Sequence, residues 1–97
     1  MAKETQIKVK ISGLVQGVFF RLETRKAANR IGAKGYVKNL PDGSVEGIFQ
    51  GDENQLEQLL EWCHHGPDAS RVDHVQQQKL VTPENQLMTF KSFEVRY

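Results

Sequence analysis

The chain reads as an α+β sandwich with strands and helices in the order β-α-β-β-α-β, two helices covering one face of an antiparallel sheet, plus a short C-terminal strand. Three observations carry this reading. Apolar residues alternate with a period of two in the segments 6–13, 34–40 and 44–51, as in strands with one buried face. Apolar stripes with helical spacing run through 21–31 and 53–65. The length of 97 residues, with 38% hydrophobic and 26% charged side chains, suits one compact domain spanning 1–97.

In the first strand Ile7, Val9 and Ile11 alternate with Lys8 and Lys10 until Gly13 interrupts the pattern. Phe20, Thr24, Ala27 and Ile31 then fall on one helical stripe, and Gly32 is placed to end that helix in the left-handed conformation. The strands at 34–40 and 44–51 are joined by Leu40-Pro41-Asp42-Gly43, where proline presets one dihedral and glycine supplies a positive φ. Asp52 is a good N-cap for the second helix, whose apolar positions are Leu56, Leu59, Leu60 and Cys63, and Gly66-Pro67 ends it. A less regular strand is expected at 71–81, a polar loop at 82–89, and a final strand through Phe93, Val95 and Tyr97. This is the split βαβ order of ferredoxin-like sandwiches. With a right-handed first crossover, strands one and two run parallel with strand three between them. The loop after strand one and the end of strand two then open at the same sheet edge.

One cysteine, Cys63, rules out an internal disulfide, and the N-terminus lacks a signal-peptide pattern, so a cytoplasmic protein is expected. No apolar run is long enough for a membrane span. The net charge of +1 is unevenly distributed: residues 1–38 hold nine Lys/Arg against two Glu, and residues 39–97 hold four against ten. A net +7 followed by −6 suggests an anion-binding part in the first half.

Two segments can carry chemistry. Gly13 to Arg21 (GLVQGVFFR) joins a strand to a helix and is apolar where a surface loop is usually polar. Its glycines permit tight backbone turns, and successive amides running into a helix N-terminus can converge on an anion, with Arg21 adding a planar cationic fork. An ordinary strand-to-helix connection with a solvated arginine is the alternative. In the second segment, Gly35 to Glu46 (GYVKNLPDGSVE), strand parity puts Asn39 on the buried face with Val37, at the strand end facing the loop. There its amide can orient a water toward a bound anion, or it can merely cap the hairpin.

Together these two segments resemble the two signatures of the acylphosphatases, small ferredoxin-like enzymes that hydrolyse the carboxyl-phosphate bond of acyl phosphates. The resemblance extends over nearly the whole chain, with Tyr36 standing where many relatives have tryptophan. It implies that the backbone of Gln16, Gly17, Val18, Phe19 and Phe20 binds the phosphoryl group together with Arg21. It also implies that Asn39 positions the nucleophilic water. The substrate is then a small-molecule acyl phosphate, with no metal, no cofactor, no nucleic-acid or membrane partner, and a monomeric enzyme.

The chemistry suits the residues. An acyl phosphate expels a carboxylate whose conjugate acid has a pKa of about 4, so no general acid is required near neutral pH. Phosphoryl transfer mainly needs positioning and neutralisation of the equatorial oxygens, which a nest of amides plus Arg21 supplies. Other candidates weigh less. His64 and His65 point about 100° apart on a helix and lack zinc-pair spacing, and His74 stands alone. Cys63 reads as a small core residue and Trp62 as packing, while Asp42 and Glu46 read as turn and surface groups. A non-catalytic ferredoxin-like domain, binding nucleic acid or acting as a regulatory module, is the rival. Against it stand the lack of paired exposed aromatics and a chain that ends at Tyr97, which favours a freestanding enzyme.

Overall fold

The computed structural model describes residues 4–80 and 90–97. Its elements are β1 (Thr5–Leu14), α1 (Phe20–Ile31), β2 (Lys34–Asn39), β3 (Val45–Gly51), α2 (Glu53–His65), β4 (Arg71–Lys79) and β5 (Phe93–Arg96). The strands form one sheet in the order β4-β1-β3-β2-β5. β3 is antiparallel to both β1 and β2, so those two strands run parallel with β3 between them, as the split order requires. The expected loop 82–89 lies outside the described residues, and the expected strand 71–81 is seen as far as Lys79.

The sheet is not wholly antiparallel, because β5 pairs with β2 in parallel. β4 runs opposite to β1 and therefore opposite to β2. A chain that reverses after β4 but lands on the far edge, beside β2, must point the same way as β2.

Period-two alternation puts Ile7, Val9 and Ile11 of β1, Val37 of β2, and Val45 and Phe49 of β3 on one face. Phe20, Ala27 and Ala28 of α1 and Leu56, Leu59 and Cys63 of α2 complete a single apolar cluster over it, driven by removal of apolar surface from water. Ile31 and Leu60, placed on the stripes by their spacing, pack only partly against this cluster. α2 begins with a reciprocal capping box: the Gln55 amide donates to Asp52 at 2.8 Å and the Asp52 amide donates to the Gln55 side chain at 2.9 Å. α1 ends on Gly32 at φ 97°. Between Ser12 and Gly13 the β1–β4 register shifts, a bulge that redirects the chain just before the loop leading to α1.

Candidate active site

The loop from Val15 to Phe19 is held at both ends by burial. Val15 and Phe20 each sit in the core, and the Phe20 ring packs against Trp62 with centroids 5.7 Å apart. A third attachment comes from the Gln16 side chain, whose Nε2 donates to the carbonyls of Leu40 and Ser44 at 2.8 and 2.9 Å. One amide group thus ties the loop to both sides of the β2–β3 turn. Between these anchors Gly17 and Phe19 adopt positive φ of 75° and 61°. Phe19 is also the N-cap of α1 and has no side chain able to accept from the first helical amides. The amide hydrogens from Gly17 to Arg21 accordingly have no acceptor among the described residues. Unpaired amides of this kind, at the positive end of a helix, make an anion site.

Arg21 stands in the first turn of α1, where a cation opposes the helix dipole. It is fixed there by a 2.8 Å hydrogen bond from Nη1 to the Arg96 carbonyl and by stacking over the Tyr97 ring, 4.7 Å from its centroid. A positive side chain beside a row of free amides is an arrangement that a bound anion would relieve. Arg25, one turn further along α1, lines the same cleft, and neither arginine makes an ion pair among the described residues.

Asn39 ends β2, directly across from Val45, which in turn faces Ile11 of β1. This row lies on the helix-covered face, as strand parity predicts. The Asn39 Oδ1 is buried and has no hydrogen-bond partner among the described residues, an expensive state for a polar atom unless water or ligand completes it. Asn39 is not the residue that fixes the turn. That role belongs to Asp42, which accepts from the Ser44 amide and hydroxyl, while the Leu40 amide donates to the Ser44 carbonyl. Lys10, at 2.8 Å, and then Ser44 hold the Asp42 carboxyl well below the usual carboxylate range.

Gly17, Phe19, Phe20, Arg21 and Asn39 therefore line one cleft of ≈ 420 Å³. Gln16 and Val18, expected beside them, are not among its lining: Gln16 turns its side chain to the hairpin and Val18 packs against the core. Leu22, Arg25, Val95 and Tyr97 also line it and escaped the sequence reading. The four-residue step from Arg21 to Arg25 was an available signal, since it repeats one helical face. For Val95 and Tyr97 there was none, because they reach the cleft only through the β2–β5 pairing.

The charge arithmetic resolves differently from its linear form. Lys38 is the neighbour of Asn39 in sequence but points to the opposite sheet face, where it faces Glu46 at 3.4 Å. Lys8 shares that carboxylate at 3.2 Å. Much of the first-half positive charge is thus neutralised away from the cleft, which keeps Arg21 and Arg25. Cys63 is fully buried and burial pushes its thiol up, as befits a core residue. Among the described residues no group of three or more His, Cys, Asp or Glu converges, and no helix is long and apolar enough to cross a membrane.

Comparison with known proteins agrees with this geometry. The family model described as acylphosphatase matches residues 7–95. An acylphosphatase from Geobacter metallireducens is 44% identical over 97 residues, 100% of both chains. One from Geobacter sulfurreducens is 47% identical over 89 residues, 92% of this chain and 93% of its own. The solved structure of an acylphosphatase from Coxiella burnetii superposes with a TM-score of 0.87 at 39% identity, covering 96% of this chain and 93% of that one. A cleft of free amides, an arginine and an orphaned asparagine oxygen, set in a chain that matches these enzymes end to end, places the protein in the acylphosphatase family of hydrolases.

Proposed function

We propose that the chain hydrolyses small-molecule acyl phosphates to a carboxylate and inorganic phosphate in this cleft, with the roles divided among loop, Arg21 and Asn39. The observation that carries the reading is the Asn39 Oδ1, buried and unpartnered in the same cleft as Arg21 and the loop. The free amides of the loop and the Arg21 guanidinium take the phosphoryl oxygens and neutralise their charge. Asn39 accepts a hydrogen bond from a water and turns its lone pair toward phosphorus, opposite the acyl oxygen. As the water oxygen bonds to phosphorus, the phosphorus–acyl oxygen bond breaks and the carboxylate leaves without protonation. The water's proton passes to a phosphoryl oxygen of the substrate itself, since no Asp, Glu or His among the described residues lines the cleft.

The reading includes a single domain over 1–97, a monomer in the cytoplasm, and turnover without metal or other cofactor. The nucleic-acid alternative is weakened by the open sheet face, whose Lys8, Lys10 and Lys38 are engaged by Glu46 and Asp42. Phosphate release from benzoyl phosphate, with and without chelator, tests the assignment. Arg21→Ala is expected to lose about 100-fold or more in kcat/KM and to bind inorganic phosphate poorly. Asn39→Ala is expected to keep phosphate binding while kcat falls about 100-fold or more. Undiminished hydrolysis by both variants would overturn the roles, and chelator sensitivity would overturn the metal-free step.

A further inference from the structure

Phe19 is the one described residue other than glycine with a positive φ, 61°. The loop's task of aiming its amides would be met with less strain by glycine, as at Gly17, or by asparagine. The phenyl ring adds nothing to the core either: the residue is 75% exposed, one of three large apolar residues left in water among the described residues. It nevertheless lines the cleft with Arg21 and Asn39, as do the apolar Leu22 and Val95. A side chain that strains the backbone and exposes an aromatic face, yet sits at the site, is placed for contact with a ligand.

We propose that the Phe19 ring, with Leu22 and Val95 of the same cleft, is the seat of the substrate's acyl group and makes the enzyme favour aromatic or other bulky apolar acyl phosphates over small ones. This rests on the phosphohydrolase reading above. An acyl phosphate has two chemically different ends. The phosphoryl dianion matches the amides and the guanidinium, and the acyl carbons need an apolar surface if they are to leave water. An exposed ring face at the cleft offers that surface, and an aromatic acyl group stacks on it in offset or edge-to-face fashion. A two-carbon acyl group has too little surface to use it.

The test compares kcat/KM for benzoyl phosphate and acetyl phosphate in the wild type, Phe19→Asn and Phe19→Leu. Asparagine tolerates the left-handed conformation but removes the apolar face, and leucine keeps an apolar side chain. Taking the ratio of the two substrates within each protein cancels any damage to the shared phosphoryl machinery, and comparing ratios between proteins cancels the substrates' intrinsic reactivities. The benzoyl-to-acetyl ratio is expected to fall about ten-fold in Phe19→Asn and less in Phe19→Leu. A ratio unchanged within about two-fold in both variants, with the wild type active on both compounds, would overturn the acyl seat and leave the phosphohydrolase reading standing. A wild type that hydrolyses neither compound would bring down both.

Discussion

Replacing Gln16 with leucine removes two hydrogen bonds at nearly constant volume, and the structure sets the size of the effect. Both bonds are between neutral groups, and each contributes about 0.5–1.5 kcal/mol net. The acceptors do not become orphans. The Leu40 carbonyl still accepts from the Gly43 amide at 3.2 Å and the Ser44 carbonyl from the Leu40 amide at 2.8 Å. The loss in stability is therefore expected at the lower end, about 1–2 kcal/mol, readable as a lower urea midpoint with an unchanged m-value. The kinetic effect should exceed what that loss suggests. Gln16 is the tether between the loop and the hairpin that follows Asn39, so, with the roles proposed above, its removal lets the loop amides and the Asn39 side chain drift apart. A misplacement on the order of 1 Å can cost about 100-fold in rate. We expect kcat for benzoyl phosphate to fall at least about ten-fold in Gln16→Leu while inhibition by inorganic phosphate changes little. In an Asn39→Ala background the same substitution should have little further effect on kcat, because the partner it aligns is gone. If stability and kcat both stay at wild-type values, or the two substitutions act additively, the tether reasoning fails.

Two further outcomes follow from the same geometry. Apparent kcat/KM should fall as salt rises; Arg25→Gln should flatten that dependence while Lys38→Gln leaves it intact, since Lys38 faces Glu46 on the other side of the sheet. Equal flattening by both would contradict the separation of the two faces. Gly35→Ala should destabilise the protein by about 4 kcal/mol or more, seen in thermal or urea unfolding, because an added Cβ would overlap the Ile48 carbonyl oxygen at a backbone φ of +132°.

Local rules carried the sequence reading a long way. Helix α2 spans Glu53–His65, the range its leucine spacing and Asp52 cap predict, and the αL ending at Gly32 and the positive φ at Gly43 are where turn chemistry put them. Parity alone placed Asn39 on the helix-covered face, and topology alone brought it to the loop's edge of the sheet. What stayed hidden was non-local. Lys38 is next to Asn39 in the sequence, and only its cross-strand pairing with Glu46 shows that its charge lies on the other sheet face. Gln16 looked like one more backbone donor, whereas its side chain bonds across 24 and 28 residues to the hairpin. The parallel pairing of β5 with β2, which delivers Val95 and Tyr97 to the cleft, has no periodic signature because either edge of the sheet accepts the same short alternating strand.

The hydrogen bond from Arg21 to the Arg96 carbonyl joins groups 75 residues apart. It cannot form by local collapse of α1; it needs β2 seated in the sheet and β5 laid against it. Closing such separated contacts is the slow, entropically costly part of folding. Catalytic competence should consequently be among the last properties a refolding chain acquires, after helix content has returned. A recovered rate of acyl phosphate hydrolysis would then report completion of the sheet edge, where a helix signal alone would not.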